Sequence, residues 1–156
     1  MRPLGVTVLS IFLLVTGFLS LITGVFLIST KEESYPVFVE EYEKFINQSF
    51  GNIPLSNEDL ERIYEVASYM AVFLGSVYLM AGYGLLTLRE WGRILTVLIA
   101  GFNVLYGIFL FFLQPLVAFE IAINLLIIWY LMKPEVREKF SRKITIEERI
   151  LGNQNP

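Results

Sequence analysis

The chain has 156 residues, of which 55% are hydrophobic and 17% are charged, and its formal net charge is −3. A soluble domain carries about 45–50% apolar and about 25% charged residues, so this composition indicates a membrane protein. Cysteine and histidine are both absent, which excludes thiol chemistry and removes the commonest general base and metal ligand. We therefore expect no catalytic residue, no metal site and no cofactor.

The first predicted element is a membrane span over residues 4–28, inside an uncharged stretch from Pro3 to Thr30. About 20 apolar residues cross a bilayer, so this segment is long enough to span with tilt. It is too long for the apolar core of a cleaved signal peptide. Small residues recur every seven positions, at Ser10, Gly17 and Gly24, and predict a close helix contact within the chain or with a second copy.

Residues 31–65 form the one long polar segment, and it is acidic. Pro36 indicates a helix start, and Phe38, Tyr42 and Phe45 follow on one apolar stripe. The pattern predicts a short amphipathic helix on the bundle or on the membrane surface. The sequon at Asn47 makes that residue a candidate glycosylation site.

A second long helix is predicted to begin at a Ser56 N-cap, with Asp59 three residues later, and to continue into a span over residues 66–88. Its first two turns should stand outside the bilayer, because the helix is longer than the hydrocarbon core. The span carries its own small-residue face, centred on Gly75, and we pair this face with that of the first span.

Two further spans are predicted over residues 94–113 and 116–132, separated only by Gln114-Pro115. This spacing predicts a tight hairpin that barely leaves the membrane. The chain then divides into a transmembrane domain, residues 1–133, and a basic amphipathic tail, residues 134–156. The cations that follow the fourth span suit contact with anionic lipid headgroups: Lys133, Arg137, Lys139, Arg142 and Lys143.

The charge distribution predicts the topology. Arg2, the pair Arg89 and Arg93, and the cations from Lys133 onward all fall on one side of a four-span chain, and the acidic segment falls on the other. Positive residues mark the cytoplasmic side, so both termini should be cytoplasmic in a multi-pass cell-membrane protein. The predicted fold is all-α, a four-transmembrane-helix bundle with an extracytoplasmic amphipathic helix between spans one and two.

Three stretches carry a resemblance to a known kind of protein: RPLGVTVLSI at the start, GYGLLTLREWGR in the middle and NLLIIWYLMKPEVREKF at the end of the fourth span. Together they resemble small four-span integral membrane proteins of archaea and bacteria whose function is unknown. The resemblance implies architecture only and no activity. The acidic outer segment is longer than that pattern requires.

Three polar residues within the spans are candidates for function: Glu120, Asn124 and Asn103. Both asparagines lie about 13–15 Å from the predicted inner surface, and Glu120 shares a helix face with Asn124. They predict either a polar track for a cation or proton or a structural hydrogen-bond cluster. Because Pro115 starts the helix, Glu120 should lie about 6–8 Å inside the outer surface.

Three functional hypotheses follow. The first is a non-enzymatic membrane protein with an accessory or interaction role, whose partners are the lipid bilayer and a second copy or another membrane protein, but not nucleic acid. The second is an oligomeric transporter or channel subunit that uses Glu120 with Asn124 and Asn103. The third is a lipid-acting membrane enzyme, for which the only carboxylate cluster lies in the outer segment: Glu58, Asp59, Glu61 and Glu65.

Overall fold

The computed structural model describes residues 3–51, 56–111 and 114–140, and it describes side chains throughout these ranges except at residues 49 and 50. These residues form six helices and no strand. The helices are α1 Leu4–Ser29, α2 Lys31–Phe50, α3 Asn57–Leu86, α4 Glu90–Phe111, α5 Val117–Met132 and α6 Pro134–Phe140. The predicted all-helical class is thereby confirmed.

Three of the helices, α1, α3 and α4, are long and apolar enough to cross a membrane. α5 meets that criterion only together with α6, and the two axes are bent by 66°. The bend lies at Lys133, whose backbone is extended with φ −56° and ψ 135°. Proline disfavours a helical conformation in the residue before it, and Pro134 then occupies the first position of α6, where its missing N–H costs nothing.

The two helix starts in the polar segment differ in how well the sequence predicts them. Ser56 caps α3 as expected, because its Oγ accepts the Asp59 N–H at 3.1 Å and donates to the Asp59 carboxylate at 2.7 Å. α2 begins at Lys31, before Pro36 rather than at it. The Thr30 carbonyl accepts the N–H groups of Glu33 and Ser34 at 3.0 and 2.8 Å, so the first turn forms ahead of the proline.

The chain divides into two compact units, which we call the first unit (residues 1–14 and 78–156) and the second unit (residues 15–77). In the second unit α1 and α3 are antiparallel and touch through small residues. A Cβ on Gly75 would lie 2.6 Å from the Leu21 backbone nitrogen, and one on Gly24 would lie 2.7 Å from that of Val72. The predicted pairing of the two small-residue faces is therefore present in this unit.

Beyond this contact, the start of α2 packs against the first turns of α3. Tyr64 is buried, its ring meets those of Tyr35 and Phe38 edge-on, and its hydroxyl donates to the Leu27 carbonyl at 2.7 Å. Lys31 lies between two α3 carboxylates and donates to Glu61 at 2.6 Å and to Glu65 at 2.7 Å. These hydrogen bonds raise the pKa of Lys31 above its ordinary value.

The hydrophobic core of the first unit joins α1, α3, α4, α5 and α6. α4 contributes half-buried side chains that pack against this core. The buried residues come from the other four helices: Val6, Leu13, Ala81, Leu85, Leu131, Val136 and Phe140. Val136 and Phe140 lie in the segment, residues 134–156, that the sequence predicts to be a basic amphipathic tail. In the structure these two side chains complete the core of the first unit.

Two glycines give a matched test of the α1–α3 contact. Gly75→Ala should lower the free energy of unfolding by about 1–3 kcal/mol, because the new Cβ meets backbone that can yield only if the helices separate. Gly101→Ala is the same chemical change in α4, where a Cβ meets nothing within 4 Å. It should stabilise the protein by about 0.5–1 kcal/mol through helix propensity.

Thermal and denaturant unfolding in detergent, followed by circular dichroism, measures both glycine variants. Equal stability of Gly75→Ala and the wild-type protein would show that α1 and α3 do not touch at this point.

Candidate functional site

The junction between α3 and α4, within the sequence GYGLLTLREWGR, brings two glycines of the first unit into backbone contact. A Cβ on Gly84 would lie 2.5 Å from the Gly92 Cα, and one on Gly92 would lie 2.4 Å from the Gly84 Cα. Neither position can hold a side chain without moving the other helix. Glycine at both positions therefore allows α3 and α4 to meet at their ends.

The turn itself ends α3 in a Schellman motif. Leu88 N–H donates to the Leu85 carbonyl at 3.0 Å, and Arg89 N–H donates to the Gly84 carbonyl at 2.9 Å. The left-handed position of this motif usually holds glycine, but here it holds Leu88 with φ 53°. Leu88 packs against the core of the first unit, and that burial offsets the strain of about 1–2 kcal/mol.

Arg93, one helical turn into α4, is the most deeply buried charge among the described residues, with its side chain only 8% exposed. Its guanidinium forms an ion pair with Glu90, and its Nε donates to the Glu90 Oε2 at 3.1 Å. Its Nη1 donates to the Leu131 carbonyl at 3.3 Å. Carbonyls at a helix C-terminus carry partial negative charge, so Arg93 ties the start of α4 to the end of α5.

Sequence reasoning used Arg93 only as a marker of the cytoplasmic side. A signal for its structural role was present, because Glu90 lies three residues before it on the same helix face. The inward orientation and the acceptor on α5 follow only from the packing of the helices.

Glu120 lies in the first turn of α5, and its side chain is exposed. Within the part of the chain that the structure describes, its carboxylate has no hydrogen-bond or ion-pair partner. Two cations of the acidic segment form ion pairs within the second unit: Arg62 with Glu58 at 2.6 Å and Lys44 with Glu40 at 2.8 Å.

The two asparagines that the sequence places within predicted spans do not bond each other. Asn103 on α4 donates to the Tyr78 hydroxyl on α3 at 3.2 Å. Asn124 is buried, and its amide donates to the backbone carbonyl of Glu120, one turn earlier, at 2.9 Å. No direct hydrogen bond joins the Glu120 carboxylate, Asn124 and Asn103 into a continuous track, so the functional role of this cluster stays a prediction.

The basic residues after α5 differ from those of the second unit. Lys133 places its Nζ 3.8 Å from the centre of the Trp129 ring. Among the described residues, Lys133 and Lys139 form no ion pair, although Glu135 and Glu138 are close in sequence. Arg137 is exposed on α6. Arg142 and Lys143 lie outside the described residues.

The four carboxylates of the candidate enzyme site are all engaged in contacts within the second unit. Glu58 pairs with Arg62, Asp59 bonds the Ser56 cap, and Glu61 and Glu65 share Lys31. Within the described ranges, no three histidine, cysteine or acidic residues are grouped to hold a metal ion. Asn47, the candidate glycosylation residue, is exposed on α2.

Substitution of Arg93 tests the buried ion pair. Arg93→Met should lower the free energy of unfolding by about 3 kcal/mol, because it leaves the Glu90 carboxylate largely buried without its cation. Arg89→Met is the matched control at an exposed arginine of the same turn, and it should change stability by less than about 0.5 kcal/mol.

The double variant Arg93→Met with Glu90→Met should recover most of the loss, because no buried charge is then left unpaired. Denaturant unfolding in detergent measures all three variants. If Arg93→Met costs no more than Arg89→Met, the ion pair has no structural role.

Comparison with known proteins assigns a family to the part of the chain that contains the α3–α4 junction. Residues 56–135 match the domain of unknown function DUF7144, a match that covers just over half of the chain. It includes all of α3, α4 and α5 with both junctions between them. No curated protein and no solved structure matches the chain. The chain belongs to the family of the domain of unknown function DUF7144.

Proposed function

We propose that this protein is a small, non-enzymatic integral membrane protein with four spans, which acts by binding lipid and other membrane proteins through its exterior. The main support for this proposal is the exposed apolar surface of α4. Leu98, Phe102, Leu105 and Phe109 lie on one helix face and are 64%, 68%, 69% and 74% exposed. A face of this kind suits acyl chains or a neighbouring helix and would be costly in water.

The arrangement of the first unit supports the proposed topology. Gly5 at the start of α1 meets Tyr130 near the end of α5, and Gly84 near the end of α3 meets Gly92. Arg93 bonds the end of α5. The basic residues of the α3–α4 turn and those that follow α5 therefore lie at one end of this unit, which favours a cytoplasmic location for that end.

The second unit supports an outer location for α2. Lys31, Lys44 and Arg62 each form ion pairs with glutamates, and these side chains are between 37% and 74% exposed. Exposed ion pairs require water or headgroups around them rather than hydrocarbon. We propose that α2 is the extracytoplasmic amphipathic helix. Its Tyr35 and Phe38 side chains pack against α3, and its glutamates face solvent.

An oligomeric transporter or channel subunit is the second candidate, and Glu120 is the observation that favours it. Its exposed carboxylate has no described partner, and a second subunit could enclose it. Against conduction, the amides of Asn103 and Asn124 are already bonded to Tyr78 and to the α5 backbone. The third candidate, a lipid-acting enzyme, is weakened because its carboxylates already accept from the Ser56 cap or form ion pairs.

The absence of cysteine makes the topology directly testable, because any introduced cysteine is the sole thiol. Glu43→Cys on α2 and Glu135→Cys on α6 replace exposed side chains. In intact cells a membrane-impermeant maleimide should label the first and not the second. Glu135→Cys should react only after the cells are opened, and the reverse labelling pattern would overturn the proposed orientation.

Flux measurements separate the interaction role from transport. Liposomes with the wild-type protein should pass protons and monovalent cations no faster than protein-free liposomes, and Glu120→Gln should not differ from wild type. Glu43→Gln is the control for loss of one exposed carboxylate outside the spans. Flux in the wild type that disappears only in Glu120→Gln, with the melting temperature unchanged, would establish the transporter hypothesis instead.

A further inference from the structure

Two apolar grooves run along α5 and share one wall. The first, of about 530 Å³, lies between α1 and α5 and is lined by Val8 and Phe12 on one side and by Ile123 and Leu126 on the other. The second is a shallow, open groove of about 570 Å³ on the surface of α5 alone, lined by Ala122, Leu125, Leu126 and Trp129. Leu126 is 61% exposed and forms the ridge between the two grooves.

Both grooves end at the same position along α5, next to two aromatic side chains and a lysine. Tyr130 closes the first groove against Gly5, since a Cβ on that glycine would lie 2.5 Å from the tyrosine hydroxyl. Trp129 lines the end of the second groove, and the Lys133 ammonium lies 3.8 Å from its ring centre. The order along α5 is thus apolar surface on both sides of Leu126, then two aromatic side chains, then a lysine.

We infer that this surface binds one diacyl phospholipid with an anionic headgroup, with one acyl chain on each side of Leu126 and the phosphate at Lys133. The groove between α1 and α5 suits one chain of a lipid, and the open apolar face of α5 on the other side of Leu126 suits the second. The first groove extends about 10 Å along α1 from Gly5 to Phe12, enough for the upper part of a chain.

Charge complementarity indicates the headgroup. Within the described residues, Lys133 and Lys139 have no acidic partner, whereas Lys31, Lys44 and Arg62 in the second unit all have one. A lysine held over an aromatic ring keeps its charge available to an anion. Tyrosine and tryptophan suit the depth at which glycerol and phosphate lie.

This inference rests on the proposed membrane location, so its test begins with that location. The chain should remain in the membrane pellet after an alkaline carbonate wash, and its loss from the pellet would refute the membrane proposal itself. The purified full chain is then titrated in detergent with phosphatidylglycerol or phosphatidylcholine of the same chain length, and bound lipid is counted by native mass spectrometry.

The wild-type chain should bind one phosphatidylglycerol about fivefold more tightly than phosphatidylcholine, the advantage of roughly one lysine at a membrane surface. Lys133→Gln should remove this preference and leave phosphatidylcholine binding unchanged. Lys44→Gln is the matched control on α2, and it should retain the preference. Equal binding of the two lipids by the wild type, or a preserved preference in Lys133→Gln, would refute the headgroup site.

Filling the first groove tests the acyl chains. Val8→Trp, and independently Ile123→Trp on the opposite wall, should weaken both lipids alike and leave their ratio unchanged. Leu98→Trp adds a similar volume to the exposed face of α4 and should have no effect. Helix content by circular dichroism identifies any variant that fails to fold. Unchanged lipid affinity in both folded groove variants would refute the acyl-chain site.

Discussion

The contact between Gly84 and Gly92 is the constraint on which the rest of the first unit depends. Because α3 and α4 meet at backbone distance, the turn between them must reverse the chain within a few residues, and Leu88 adopts a left-handed conformation to do so. This close contact between α3 and α4 also orients one face of the first turn of α4 toward the protein interior. Arg93 therefore points into the protein and donates to the Leu131 carbonyl near the end of α5. In the sequence this turn resembles a simple basic loop, but in the structure it brings α3, α4 and α5 together.

Polar side chains in apolar helices must find an acceptor within the protein, because hydrocarbon offers none. Several do so on their own helix: Ser10 donates to the Val6 carbonyl, Ser68 to that of Tyr64 and Thr96 to that of Gly92, all within 2.8 Å. Asn124 does the same with Glu120. A polar residue in such a helix is therefore weak evidence for a conduction path. Asn103 differs, because its bond to Tyr78 joins two helices of the first unit.

The two units differ in whether their cations have acidic partners, and the functional proposals rest on this difference. In the second unit the described cations are neutralised by glutamates on α2 and α3, so that surface needs no external counterion. At the basic end of the first unit, Arg93 is neutralised by Glu90, whereas Lys133 and Lys139 meet no described acid. The described residues supply these two lysines with no anion. In the proposed topology, a lipid headgroup is the anion that lies at that depth.

The sequence by itself determined the helices, because long uncharged runs, the Ser56 cap and the Gln114-Pro115 break are local signals of length, capping and backbone restriction. Its seven-residue spacing of small residues also determined which faces of α1 and α3 meet. The start of α2 was misread, since a first turn bonded to Thr30 outweighs the positional preference of Pro36. Only the tertiary structure decided the partner of Arg93, the burial of Val136 and Phe140, and the two grooves beside Leu126. Each of these depends on which residue of a distant helix lies opposite, and no local pattern contains that information.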